Sequence, residues 1–263
     1  MQQQTEYFAN KAGEREKLRL ASLERQYDAF SERRLRIAGL APGKRCLELG
    51  AGNGGIARVM GEVSGLPAIA ADLNPHFLDP QDNRYEIRQI DVSAPDAFEG
   101  ERYDIIHCRF LLMHLKNPAA IISHLVSLLS PGGALVVEEP NCLTGIPADP
   151  DEPGADKVKH MVLTTLHAVE AAGLFRTTLG PLLPRLFASA GLSSIDCEGM
   201  CKVAKNSSEE NGSGGRAGMR LITPVAIKGG HLSQREVDEA DELLGRSALH
   251  MVSMTLFSCI GIR

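Results

Sequence analysis

The segment Leu47-Glu48-Leu49-Gly50-Ala51-Gly52-Asn53-Gly54-Gly55 constrains this chain more than any other. A short apolar run enters a turn rich in glycine, and a helical pattern follows over residues 56–63 until Gly65 and Pro67 stop it. Glycines in such a turn let backbone approach a ligand closely and let a helix start tightly after a strand. Apolar runs that read as strands recur at residues 68–71, 85–90, 103–108 and 134–138. A helix over 119–129, ended by Ser130-Pro131-Gly132-Gly133, precedes the last of these. Strands alternating with helices predict an α/β fold, a parallel sheet wound on both faces, with ligand bound along the C-terminal strand edge.

Ahead of the break Ala41-Pro42-Gly43, residues 5–38 are charged and helical in pattern, with Leu18, Leu23, Tyr27 and Phe30 near helical spacing. Asp28 or Ser31 reads as the cap of a second short helix ending at Gly39. After Pro140 the pattern changes. Residues 141–155 read as loop, 157–172 as a helix carrying His160 and His167, 182–190 as another helix, and 193–203 as a strand. Residues 205–218 are rich in Ser, Asn and Gly and read as flexible. A capping box, Ser233 with Glu236, opens a helix over 235–244, and residues 251–262 read as a final strand. This organisation predicts an N-terminal helical cap at 1–40, a main domain at 41–263, and within it a helical insertion at 141–180 over the substrate site.

Apolar residues make up 43% and charged residues 23%, enough for a sizeable core and unlike a disordered chain. The net charge is −5 and Trp is absent, which argues against binding nucleic acid or an anionic membrane surface. The polar N-terminus lacks a signal-peptide pattern and no apolar run approaches a membrane span, so a cytoplasmic protein is expected. The six cysteines are scattered and expected to be reduced. Cys197 and Cys201, the close pair, read as small core residues on one strand face rather than half a zinc site, and no metal site is expected.

The glycine turn formally satisfies G-x-G-x-x-G, yet Glu48 argues against a dinucleotide. A carboxylate there would face a pyrophosphate, and like charges a few ångströms apart cost several kcal/mol at an effective dielectric of about 20. The same carboxylate suits a ligand carrying an ammonium and a sulfonium, as S-adenosylmethionine does. Asp72, ending the second strand, suits the hydroxyls of a ribose. Asp91, ending the third, suits an adenine amine. Each alone reads as the cap of the next helix, and for a single Asp that reading comes before a ligand contact. Together, at three successive strand ends, they form an acidic rim.

Those residues carry a resemblance. Residues 46–54 resemble motif I of the class I S-adenosylmethionine-dependent methyltransferases. Ala70-Ala71-Asp72-Leu73-Asn74-Pro75 resembles their ribose-binding acidic motif, and Tyr103-Asp104-Ile105-Ile106-His107-Cys108 their motif IV. Residues 128–139, from the end of a helix through Pro131-Gly132-Gly133 into the fifth strand, fit the same pattern. The likeness covers residues 40–140 and, with the N-terminal stretch from Tyr7, is similar to bacterial small-molecule methyltransferases of specialised metabolism. It implies a Rossmann-like sheet of seven strands whose last strand is antiparallel, and S-adenosylmethionine as cofactor. It implies Glu48, Gly50 and Gly52 at the methionine and ribose end, Asp72 and Leu73 at the ribose and adenine face, Asp91 and Val92 at the adenine, and the Cys108 carbonyl at the ammonium. Tyr7 and Arg19 would lie on helices closing over the cofactor, with Arg19 suited to the methionine carboxylate.

Methyl transfer needs an aligned nucleophile, and a base only where the acceptor must lose a proton. His114, just past the fourth strand, and His160 and His167, seven apart on one helix, are the candidate bases. His107 is expected to point into the sheet packing. The expected activity is methyl transfer to a small, partly apolar metabolite, foremost at oxygen, then nitrogen or carbon. The alternatives are a cyclase or isomerase using the same cofactor on the same fold, a non-catalytic binding subunit, and a dinucleotide oxidoreductase. The expected partner is a small-molecule substrate, in a chain capable of forming a homodimer.

Overall fold

The computed structural model describes residues 13–94, 96–205, 212–245 and 249–263. Tyr7 and the stretch 206–211 lie outside the described residues. In chain order the elements are α1 (Glu14–Ile37), β1 (Cys46–Leu49), α2 (Gly55–Ser64), β2 (Ala68–Asp72), β3 (Tyr85–Gln89), β4 (Tyr103–Arg109), α3 (Pro118–Ser127) and β5 (Leu129–Asn141). Then follow α4 (Ala155–Ala171), α5 (Leu183–Ser189), β6 (Ser193–Met200), β7 (Val203–Lys205), α6 (Gly212–Lys228), α7 (Gln234–Leu244), β8 (His250–Val252) and β9 (Thr255–Ile262).

Seven strands form one sheet in the order β3-β2-β1-β4-β5-β9-β6. The first five run parallel, and β9 enters antiparallel between β5 and β6. The expected Rossmann-like, doubly wound sheet with an antiparallel last strand is therefore present. Strand parity divides the core. Leu47, Ile106, Leu135 and Val137 pack toward α3 and α5, while Cys46, Ile105, Val136 and Ile260 pack toward α1 and α2. Alternate side chains on a two-sided sheet feed opposite layers, so each strand is apolar nearly throughout.

A separate cluster unites α4, α6 and α7 through Val158, Val162, Leu166, Ile222, Ala226, Val237 and Leu244. These helices form a cap over the C-terminal strand edge. Among the described residues no helix is long and apolar enough to cross a membrane.

Several expectations require correction. Residues 14–37 are one helix, so Asp28 and Ser31 cap nothing. They lie in its middle and face the sheet. Leu18 is 64% exposed, so it is outside the apolar stripe. The run 130–133 does not separate helix from strand. β5 begins at Leu129, and a register shift against β4 absorbs the Pro-Gly-Gly. The expected strands at 193–203 and 251–262 each break, because β7 and β8 leave the main sheet and pair with each other. Residues 212–218 belong to α6, where Met219 and Ile222 pack against the cap and give the segment a reason to be helical. Cys197 and Cys201 are exposed rather than core residues. The capping box at Ser233 and Glu236 is present, with both reciprocal hydrogen bonds made.

Candidate active site

Gly50 and Gly52 take left-handed backbone (φ 67° and 55°), which glycine adopts without steric cost. The Gly50 and Ala51 amides donate to the Ala71 carbonyl at 2.8 and 3.2 Å, and the Gly52 amide donates to Asp72 Oδ2 at 3.1 Å. The turn is thus bound to the end of β2. A methyl group at Gly52 would sit 3.5 Å from the Leu20 side chain, and one at Gly50 3.4 Å from Leu111. Helix α1 and the loop after β4 therefore roof the turn closely.

A cavity of about 370 Å³ opens there, within the size range of small-molecule sites. One end is formed by the glycine turn with Glu48, Asp72 and Arg19. The other runs beneath the cap, against Val162, Leu166, Met219, Ile222, Leu244 and Met251.

Of the residues singled out from sequence, Arg19, Glu48, Gly50, Gly52, Asp72 and His114 line this cavity. The others do not. Asp91 folds back on its own turn and accepts from the Ser93 amide and hydroxyl at 2.9 and 2.5 Å. Val92 and Cys108 are buried in the core toward α3, and Leu73 is 45% exposed. His160 and His167 are exposed on the outer side of α4, while Val162 and Leu166 face the cavity. Arg19 reaches the cavity, but its Nε and Nη2 donate to Glu16 at 2.8 and 2.6 Å.

Asp72 accepts the Asn74 amide on Oδ1 at 2.9 Å and the Gly52 amide on Oδ2. Burial raises its pKa, and these amides work against the rise. The Leu73 amide acts in the same sense, and the carboxylate, which lines the cavity, keeps acceptor capacity beyond these contacts.

Glu48 heads a buried polar chain that sequence reading missed. His107 stands directly opposite it across β1 and β4, with Nδ1 2.6 Å from Glu48 Oε2. On the far side His107 Nε2 lies 3.4 Å from Glu138 Oε2. Glu138 accepts the Ser31 hydroxyl. Arg109 donates to Ser31 Oγ at 2.8 Å and to Asp28 Oδ1 at 2.7 Å. Three residues further along α1, the buried Arg34 donates to the Ser258 carbonyl and hydroxyl of β9. A polar seam at positions 28, 31 and 34 thus docks the helix on the sheet. Strand parity was the available signal, because His107 and Arg109 share one face of β4.

Burial works against a charge on His107, but Glu48 and Glu138 outweigh it and raise its pKa to about 9. Burial likewise opposes ionisation of Glu138, yet His107, Arg109 and Ser31 hold its carboxyl below the usual range. Because the folded pKa of His107 lies above the unfolded value of 6.5, its stabilisation is whole below pH 6.5 and is lost as pH rises through about 9. We expect the urea midpoint of the wild type to fall between pH 6.5 and 9.5, by up to about 3 kcal/mol of stability. In His107→Asn that fall should shrink; an equal fall in both proteins would contradict the assignment.

Glu139, the next residue on β5, points to the opposite layer. Its Oε1 accepts the Leu111 and Leu112 amides at 3.0 and 2.6 Å, and its Oε2 the Met113 amide at 3.3 Å. Burial pushes its pKa up to about 8, against those amides. This carboxyl holds the loop that presents Phe110, Met113 and His114 to the cavity. Phe110 pays for the tight turn with a left-handed φ of 54°, and its ring meets Tyr27 edge-on at 5.5 Å. Burial, reinforced by Arg19, pushes His114 down to about 4, so its imidazole is neutral at pH 7.

These residues fit S-adenosylmethionine. Among the described residues no hydrogen bond uses Glu48 Oε1, which leaves that oxygen for an ammonium. Asp72 offers acceptors for two hydroxyls. The glycine turn leaves room beside both.

A family model described as a methyltransferase domain matches residues 22–195. The methyltransferase str3 of Strobilurus tenacellus is 27% identical over 170 residues; these are 64% of this chain and 60% of the relative, whose length the chain therefore spans only in part. The ubiquinone biosynthesis O-methyltransferase of Acinetobacter baylyi is 34% identical over 103 residues, 36% of this chain and 43% of that protein. The fold matches the crystal structure of the YcgJ protein of Bacillus subtilis with a TM-score of 0.56 at 16% identity, covering 88% of this chain and 96% of that one. With its seven-stranded sheet, glycine turn and strand-end carboxylates, the chain belongs to the methyltransferase-domain family, in its class I, S-adenosylmethionine-dependent form.

Proposed function

We propose that the protein moves a methyl group to oxygen on a small, uncharged, largely apolar acceptor. The observation that carries this reading is the continuity of the cavity from the glycine turn to the apolar wall beneath the cap. Among the described residues, the guanidinium groups that reach it are committed to protein carboxylates: Arg19 to Glu16, Arg109 to Asp28, and Arg216 to Asp241 at 2.7 Å. A carboxylate or phosphate on the acceptor would have to compete for them while losing its own hydration. Lys202 lines the rim, where it is exposed and donates to the Gln26 carbonyl at 3.4 Å. Oxygen as the acceptor atom is supported by the Acinetobacter relative, an O-methyltransferase by name.

Bound at the turn, S-adenosylmethionine supplies an electrophilic methyl group on a cationic sulfur. The protein's part is to bind, align and exclude water. Phe110, Met113, Phe175 and the cap residues surround the acceptor body. His114 packs edge-on against Phe175 at 5.5 Å and, held neutral, orients the acceptor hydroxyl. A base of so low a pKa carries little of the proton load; the hydroxyl proton would pass to solvent as the methyl leaves sulfur for oxygen, so no step in the pH–rate profile is expected near pH 6.5.

The test is a panel of phenols and alcohols, each paired with a carboxylate-bearing analogue, incubated with isotopically labelled S-adenosylmethionine. Label should appear on oxygen of the neutral members, with a gain of one methyl in mass. Preference for the anionic members, or a product of unchanged mass, would overturn the reading.

A further inference from the structure

We propose that His107 is a positioning residue for the cofactor: it holds the Glu48 carboxylate in the cavity wall and ties it, through Glu138 and Arg109, to the helix that roofs the site. The inference rests on reading the cavity as the S-adenosylmethionine site.

Glu48 is 4% exposed and His107 fully buried. A carboxylate that deep, without a partner, takes up a proton rather than stay charged. Burial raises the Glu48 pKa, and His107, at 2.6 Å and in direct register across the strands, works most against that rise. It leaves Glu48 Oε1 as the oxygen toward the cavity. The chain then continues away from the cavity. Glu138 follows His107, at 3.4 Å from Nε2, and receives the Ser31 hydroxyl. Arg109 holds Ser31 and Asp28.

Ser31 and Asp28 belong to α1, whose earlier turns bring Arg19, Leu20 and Leu23 over the glycine turn. An unbroken helix transmits displacement along its axis, so the seam that docks one half sets the height of the other. Asp72, on β2, takes no part in these contacts. Loss of His107 should therefore weaken the hold on the amino-acid end of the cofactor and spare the nucleoside end.

Two ligands separate the ends. S-adenosylhomocysteine carries both; 5′-methylthioadenosine carries the nucleoside alone. Calorimetric titration of His107→Leu should show S-adenosylhomocysteine weakened by about tenfold to a hundredfold, the range for losing one hydrogen bond to a charged group. Affinity for 5′-methylthioadenosine should change by less than about threefold. His107→Asn, which keeps a donor toward Glu48, should recover most of the lost affinity. Should His107→Leu fail to fold, the wild type labelled with ¹⁵N-histidine gives the same answer, with the His107 ring signals identified by their loss in His107→Asn. Those signals should move on adding S-adenosylhomocysteine and stay in place with 5′-methylthioadenosine. Equal loss of both ligands, loss of neither, or ring signals indifferent to both would overturn the proposal. A wild type that binds neither ligand would instead overturn the cofactor reading itself.

Discussion

Asp72→Ala should lose affinity for S-adenosylhomocysteine by about a hundredfold to ten-thousandfold, the effect of removing two hydrogen bonds from an ionised acceptor. Burial and the backbone amides of Gly52, Leu73 and Asn74 fix this carboxylate at the end of β2, where it lines the cavity. The alanine frees the Gly52 and Asn74 amides where the bonds are only partly buried or exposed, so the fold should survive. Circular dichroism and the melting temperature of the variant should stay close to the wild type. Asp72→Asn keeps one oxygen acceptor and should fall between the two. Calorimetry checks all three, and an Asp72→Ala protein that binds as the wild type does would remove Asp72 from the site.

Glu139→Ala should be the most destabilising of these substitutions, by about 2–6 kcal/mol, since the two buried amides of Leu112 and Met113 each lose their acceptor at roughly 1–3 kcal/mol and the partly buried Leu111 amide adds less. Set against a total stability of roughly 5–15 kcal/mol, that leaves little margin. The same amides shape the loop carrying Phe110 and His114, so any folded fraction should lose turnover as well. Glu139→Gln places a carbonyl oxygen where Oε1 accepts two of the three amides, and should cost less than about 1.5 kcal/mol. Urea denaturation checks the pair. Equal losses for Ala and Gln would show that the amides are not what Glu139 stabilises.

Local signals made half of this molecule legible. The glycine turn, the helix after it and the strand ending in Asp72 follow from rules that act within a few residues, and the structure places them together. Asp91 shows the limit of such rules. Asp91 lies just past the edge strand β3, and its Oδ1 accepts from Ser93, so its residue type and place alone do not distinguish a turn from a ligand contact. The buried polar chain was hidden for a different reason. His107 finds Glu48 across 59 residues and Glu138 finds Ser31 across 107, so no window of sequence contains either pair. Asp28 and Ser31 looked like caps because their residue types favour caps; docking α1 on a charged sheet face overrode that preference. The same override turned the Gly-rich start of α6 into helix, where apolar contacts with α4 and α7 outweigh poor propensity.

The claim beneath all of this is that carboxylates at the ends of β1 and β2 select an adenosyl amino acid and reject a pyrophosphate. Calorimetric titration of the wild type with S-adenosylhomocysteine and, separately, with NAD tests it most directly. We expect one S-adenosylhomocysteine bound per chain and no saturable heat from NAD. Saturable NAD binding with S-adenosylhomocysteine silent would contradict it.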